Sequence, residues 1–413
     1  MSDWQEVKLR ECISTLKGFA FKSKWYQPDG IPIVRVSDFT DNSISVDDIE
    51  YIPHDLAQEH SRYLLKTKDV IVQTVGSWQH NPVSIVGKVV NVPSNLNGAL
   101  LNQNAVKIIP NKTIDNNFLY YRLKDEHFKL HNLGCAQGAA NQASITLSSI
   151  GSFRFNLPPL PTQQKIAKIL SNYDDLIENN LKRIKLLEES ARLTYEEWFL
   201  RFCIDGKKLD IDPETKLPFG WQDVLLTDYI DLLRGVEPGS SKYEEVKTDS
   251  NIPFIRVGDL SKRDSDIYVS KDLANNKIID KDDILLSLDG SPGKVRFGLS
   301  GCYSTGIRKA VSKQKNVSSI FIYNLLNSPY IQGLIEAYAT GATILHAGSS
   351  VKKMRLVLPT DEVLDKYNNI EMKKFQLILN LSDEIKLLKE ARDILLPRLM
   401  TGMIDTDDMD IAV

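Results

Sequence analysis

Residues able to do chemistry are sparse in this 413-residue sequence, and none is spaced as a catalytic centre requires. No G-x-x-x-x-G-K-[ST] loop occurs, so an ATP-driven motor is not encoded here. Asn81-Pro82-Val83-Ser84 is the nearest approach to the Asn/Asp-Pro-Pro-aromatic sequence of an amino-methyltransferase, and it lacks the second proline and the aromatic. Pro28-Asp29 is followed by no acid-x-Lys within thirty residues, so no magnesium-nuclease site is completed. His127 and His131 stand at i, i+4 without the glutamate of an H-E-x-x-H zinc site. Asp289-Gly290-Ser291-Pro292-Gly293-Lys294 reads as a turn rather than a phosphate loop.

The remaining candidates are groups that suit nucleic-acid recognition. Trp78-Gln79-His80-Asn81 offers amides and aromatic edges, and Gln137, Asn141, Gln142 and Ser144 do so in a second glycine-bearing segment. Further on, Thr340-Gly341-Ala342-Thr343-Ile344-Leu345-His346 is followed by Lys352-Lys353. Asn and Gln side chains pair with adenine in the major groove, and Arg or Lys with guanine. Basic residues at Arg35, Lys88, Arg256, Lys294, Arg296, Arg308 and Lys309 complete the candidate DNA-binding set, with Thr343, His346, Lys352 and Lys353. No metal-ligating or catalytic residue is assigned.

Those segments are positioned by a chain written twice. Trp4-Gln5-Glu6-Val7 recurs as Trp221-Gln222-Asp223-Val224, and Ile31–Asp38 recurs as Ile252–Asp259. Asp69-Val70-Ile71-Val72 matches Asp283-Ile284-Leu285-Leu286, Gly76-Ser77 matches Gly290-Ser291, and Gly138-Ala139 matches Gly341-Ala342. Phe118-Leu119-Tyr120 matches Phe321-Ile322-Tyr323, and Ile184-Lys185-Leu186-Leu187 matches Ile385-Lys386-Leu387-Leu388. A unit this long is a duplicated domain plus an appended element, not a solenoid repeat.

Each copy opens with short β-rich runs bounded by Gly, Pro, Asn and Asp, and closes on a helical stretch. In the first stretch apolar residues fall at Ile166, Leu170, Tyr173, Ile177, Leu181, Ile184, Leu187, Ala191, Thr194 and Trp198. In the second they fall at Leu364, Tyr367, Phe375, Ile378, Leu381, Ile385, Leu388, Leu395 and Leu399. Steps of three and four along one narrow stripe describe a coiled-coil seam. The connectivity predicts an α+β protein. Two globular domains stand at opposite ends of a long antiparallel two-helix coiled coil, related by a pseudo-two-fold axis. The expected boundaries are 1–158 and 206–358 for the domains, and 159–205 and 359–413 for the helices and tail.

Charge follows this division. The overall −3 separates into +1 and +2 on the two domains and −1 and −5 on the helical segments. Between Asp69 and Asp115 there is no acid, while Lys88, Lys107 and Lys112 are present. From Gly290 to Thr360 the only acid is Glu336, against nine basic residues that include Lys294, Arg296, Arg308, Lys309, Lys313 and Lys315. A surface facing phosphates requires such depletion, and double-stranded DNA is the expected partner. Four scattered cysteines without a C-x-x-C pair, no apolar run long enough to span a bilayer and no secretory pattern predict a cytoplasmic protein with no membrane association.

Taken together, these segments resemble the specificity (S) subunit of type I restriction–modification enzymes. Leu157-Pro158-Pro159-Leu160-Pro161-Thr162-Gln163-Gln164-Lys165-Ile166-Ala167 is similar to the family's "LPPLxEQ" helix start, with Thr162 as a small departure. Ile184–Glu189 with Trp198-Phe199 is similar to its central helix, and Leu396-Pro397-Arg398-Leu399-Met400-Thr401-Gly402 to its C-terminal ending. The second helix start, Leu358-Pro359-Thr360-Asp361-Glu362, lacks the second proline and the glutamine, which implies a less symmetric grip.

The resemblance implies that each globular domain is a target-recognition domain reading one half of a split DNA site. The helices would set the gap and dock two modification subunits, and restriction subunits would join them. It implies no cofactor on this chain, with S-adenosylmethionine, ATP and magnesium bound only by the partner subunits. A specificity subunit of a related type II system would share every one of these features.

Overall fold

The computed structural model describes residues 4–40, 43–78, 85–139, 142–262, 265–274 and 276–406. It divides into two compact units, Met1–Ile177 with Leu387–Val413, and Glu178–Lys386.

In the first unit the β-branched run Val70–Gln73 is buried on both faces, as a central strand requires. It pairs antiparallel with Ala105–Pro110 on one side and Val89–Asn91 on the other, and Ile13–Lys17 extends the sheet beyond Ala105–Pro110. Ile31–Val34 forms a second sheet, antiparallel to Glu50–Ile52 and parallel to Leu100–Leu101. Helices Asn116–Lys124 and Glu126–Cys135 cover the first sheet. Asp115 caps the former by accepting from the Asn117 and Phe118 amides at 2.9 Å. The strand Gln5–Lys8 pairs with Arg154–Leu157, immediately before a long helix over Leu160–Tyr195.

The second unit repeats this order. Ile230–Arg234, Ile307–Ser312, Ile284–Ser287 and Val295–Arg296 form the first sheet. Asn251–Ile255, Tyr268–Ser270 and Gly301–Tyr303 form the second, to which Ile278–Ile279 adds a fourth strand. Helices Ser319–Leu326 and Pro329–Ala337 follow, and Gln222–Leu225 pairs with Arg355–Leu358 before a second long helix over Asp361–Met400.

Both units contain a stretch of each long helix. In the first, Ile166, Ala167 and Leu170 share a core with Phe118, Leu119, Leu399 and Met400. Burying Leu399 and Met400 contributes about 3–6 kcal/mol together, so the end of the second helix is part of this unit's stability. Lys165 Nζ reaches the Thr406 carbonyl at 3.0 Å and Arg392 Nη1 reaches Asp174 Oδ1 at 2.6 Å. In the second unit Lys374 Nζ reaches Ser190 Oγ at 2.9 Å, Trp198 packs edge-on against Tyr367, and Lys366 pairs with Asp205. Rising numbers on one helix meet falling numbers on the other in each unit, so the two run antiparallel within it.

The seam differs from the apolar stripe at three places. Leu181 is 48% exposed, whereas Asn180 beside it is 3% exposed and holds the seam position. Glu371 and Arg392 are buried and continue the three–four spacing across the two gaps in the second stripe. Hydrophobicity alone passes over all three, because spacing and not polarity decides which side chain faces inward.

Gln163 explains the sequence at the first helix start. It is 1% exposed, accepts from the Asp115 amide at 2.8 Å, and donates to the Thr113 and Pro158 carbonyls at 3.0 and 2.8 Å. The second helix lacks that glutamine. Its joint is made by Asn316 Nδ2 on Asp361 Oδ1, Asn368 Nδ2 on the Asn316 carbonyl, and Ser318 Oγ on Asn368 Oδ1.

Candidate nucleic-acid interface

The amide-rich segment of the first unit is a hairpin clamped onto a neighbouring turn. Ala143–Ser144 pairs antiparallel with Val75–Gly76, and the Gln137 and Ser144 amides and carbonyls bond reciprocally at 2.9 and 2.8 Å. Gly138 has φ +147°, and a Cβ there would fall 2.0 Å from the Gln142 carbonyl oxygen, so the turn admits only glycine. Trp78 Nε1 donates to the Ala139 carbonyl at 2.9 Å, which ties the loop to the segment after Gly76. Gln137, Gln142 and Ser144 are left exposed on this frame. Gln79, His80, Asn81 and Asn141 lie outside the described residues.

The second unit carries the same device with other side chains. Leu345–His346 pairs with Asp289–Gly290, and Thr340 and His346 bond reciprocally at 3.0 and 2.8 Å. Gly341 has φ +129°, with a Cβ 2.1 Å from the Ile344 carbonyl oxygen. Thr343, Ile344 and Leu345 are exposed, and the His346 side chain is 60% exposed. His346 Nδ1 lies 2.8 Å from Asp289 Oδ1. An ionised carboxylate can only accept, so Nδ1 is the donor in this bond and Nε2 is left facing outward from it. Asp289 also takes Arg308 Nη2 at 3.2 Å, while Arg308 Nη1 donates to the Thr305 carbonyl. Asp289 therefore orients both the loop histidine and the arginine, a role its position just before the acid-free run did not reveal.

Several of the basic candidates are occupied within the fold. The Arg35 amide donates to Asp38 Oδ2 at 2.8 Å and its guanidinium reaches Asp38, Glu50 and the Asp48 carbonyl. The Arg256 amide makes the same 2.8 Å bond to Asp259, with its Nε at 3.3 Å. These are matched turn-fixing pairs. Burial would depress the Arg35 pKa, but the carboxylates of Asp38 and Glu50 outweigh it and raise the value.

Lys309 pairs with Asp283 at 2.6 Å, and Lys107 makes the matched pair with Asp69 at 2.5 Å. Lys313 pairs with Asp231. Arg296 donates to the Leu260 carbonyl at 2.7 Å and stands 3.8 Å from Glu188. Lys294 donates to Ser261 Oγ and the half-buried Lys88 to the Phe39 carbonyl. An acid-free stretch of sequence is thus not an acid-free surface, because neighbouring strands bring carboxylates to it. Lys352 and Lys353 differ: both are exposed and have no ion-pair partner among the described residues.

The two histidines at i, i+4 serve separate bonds, His127 to Asp125 at 3.1 Å and His131 to the Ser149 carbonyl at 2.8 Å. Among the described residues no group of three His, Cys, Asp or Glu could hold a metal ion, and no helix is long and apolar enough to cross a membrane.

The fold and sequence have known counterparts. The chain is similar to two specificity subunits of Methanocaldococcus jannaschii, those of the type I restriction enzymes MjaX and MjaIX. It is 27% identical to the first over 349 residues, which cover 82% of this chain and 79% of that one. It is 27% identical to the second over 330 residues, covering 75% and 73%. A crystal structure of the S subunit of a type I restriction–modification system from M. genitalium shares the fold. It has a TM-score of 0.55 at 15% identity, over 97% of this chain and 96% of that chain. The family described as the type I restriction modification DNA specificity domain matches residues 1–189 and 218–379, well over half the sequence. The chain belongs to that family, as a DNA-specificity subunit without a catalytic role of its own.

Proposed function

We propose that the chain reads a bipartite DNA site, with residues 1–158 and 206–358 as target-recognition domains and 159–205 and 359–413 as the segments that set the gap. One observation carries this reading. Both domains project the same glycine-turned hairpin, locked to the same neighbouring turn, and differ in the side chains that the hairpin exposes. A shared frame with divergent tips suits two readers of different sequences. Gln137 and Gln142 suit adenine edges, and exposed Ile344 suits a thymine methyl.

The exposed faces of the long helices support docking of two modification subunits. Leu186 and Leu193 are 69% and 50% exposed and seven residues apart. The repeat places Leu387 and Ile394, 64% and 54% exposed, at the matched positions of the second helix. Two copies of one apolar strip suit two copies of one partner. Those subunits would bring S-adenosylmethionine, and restriction subunits ATP and magnesium, in the cytoplasm where the chromosome lies.

Mapping methylated adenines in a genome served by this chain and its partners tests the reading. The expected result is two short defined segments separated by an unspecified gap. One continuous recognition sequence would overturn it.

A further inference from the structure

The two antiparallel helix stretches occupy equivalent places in their units, yet they are built from opposite chemistry. The equivalence is fixed by the repeat: Leu160 and Asp361 start the helices, and Ile184 and Ile385 lie at the same interval.

Three successive layers differ. In the first unit the aliphatic Ile166 and Leu399 lie in one hydrophobic core, whereas the matched residues of the second are Tyr367 and Trp198, with ring centroids 5.8 Å apart. In the next layer the first unit has Leu170, with Leu395 packed against the same core. The matched Glu371 is fully buried and takes Lys374 Nζ at 2.7 Å, and that ammonium also donates to Ser190 Oγ and Thr194 Oγ1. In the third layer Asp174 takes Arg392 Nη1 at 2.6 Å and the Tyr121 hydroxyl at 2.7 Å. The matched positions are Phe375 and Ala191, both buried, with Phe375 tilted against Phe297 at 4.4 Å.

We infer that these layers form a key that lets the first helix accept the second and refuse another copy of itself, so that the chain closes on itself rather than exchanging helices with a second copy. Pairing two first helices would set Asp174 against Ala191 and Ile166 against Trp198. Pairing two second helices would set Arg392 against Phe375, and would leave Glu371 and Lys374 facing Leu395 in place of two hydroxyls. Each mismatch removes one bonded partner from a buried or half-buried charge or changes the volume of a packed layer, and both are destabilising. Polar residues at a few seam positions are a well-attested means of fixing which helices pair.

The test uses the full-length chain, refolded from denaturant over a wide range of concentration and analysed by size-exclusion chromatography with light scattering. Wild type is expected to return as monomer throughout. A variant carrying S190A, A191R, T194L, E371L, K374Y and F375D gives the second unit two layers of the first, so self-pairing no longer costs more. It is expected to yield comparable amounts of monomer and of a dimer that forms only during refolding and persists on dilution. The milder pair D174F and R392A levels the third layer alone and should give a smaller dimer fraction, and it decides the matter if the sixfold variant does not melt cooperatively. A wild type that forms the same persistent dimer, or folded variants that stay as monomeric as wild type, would overturn the inference.

Discussion

In the first unit the long helix is fastened to its domain by one buried glutamine, and in the second the same joint is a chain of four half-exposed or exposed polar groups. Gln163 satisfies one amide and two carbonyls at a place water does not reach. Asp361, Asn316 and Asn368 meet where solvent can replace any of them. The two joints hold the same place in the fold with unequal consequences, because an unmade bond is costly only where water cannot make it. Gln163→Ala should therefore destabilise the protein by about 2–4 kcal/mol, and Asp361→Ala by less than about 1 kcal/mol. Denaturant unfolding followed by far-ultraviolet circular dichroism reads both, and equal losses would erase the contrast.

The glycine-turned hairpins proposed to read DNA give a second comparison, with a smaller expected effect. Their frames share the same strand pairing and reciprocal backbone bonds, but one tip displays Gln137, Gln142 and Ser144 and the other Thr343, Ile344 and His346. Gln142→Ala should relax base preference by roughly 1–3 kcal/mol at one position of one half-site, and His346→Ala should do so in the other half alone. Asp289→Asn keeps the shape but removes the carboxylate that fixes the His346 proton on Nδ1, so it should resemble His346→Ala in part. Selection of bound sequences from a random library would show each change. Altered preference in both halves from one substitution would mean the tips do not read independently.

Much of the architecture was legible because the chain is duplicated: a second copy turns weak local signals such as Gly138 and Gly341 into matched ones. The two long helices were legible from their apolar stripes, and the antiparallel pairing from the connectivity. The seam was only partly legible. Asn180, Glu371 and Arg392 face inward because their positions do: Arg392 is satisfied by Asp174, distant in sequence, and Glu371 pairs one turn on with Lys374, whose ammonium also reaches Ser190 and Thr194. The candidate site suffered most from the same blindness. Arg35, Arg256, Arg308 and Lys309 carry the charge that DNA binding calls for, but the fold places a carboxylate against each. Linear charge counting sees the cation and not the strand that brings its acid.

That distinction between occupied and unoccupied cations yields the smallest expected effect. Lys309 and Lys352 carry the same charge in the same domain, but Lys309 lies 2.6 Å from Asp283, whereas Lys352 and Lys353 stand exposed after the Gly341 hairpin. A lysine that neutralises a phosphate releases condensed counterions, so its removal flattens the dependence of log K on log salt by about 0.9 per contact. Lys352→Ala with Lys353→Ala should flatten that slope by about 2 and weaken binding by about 1 kcal/mol for each lysine at physiological salt, alike for specific and unrelated duplexes. Lys309→Ala should leave the slope unchanged, since its ammonium is already neutralised by Asp283. Titrations of labelled duplex at several salt concentrations separate the two cases. A flattened slope for Lys309→Ala would mean that the ion pair opens on DNA and that the acid-free stretch of sequence marks the phosphate-facing surface after all.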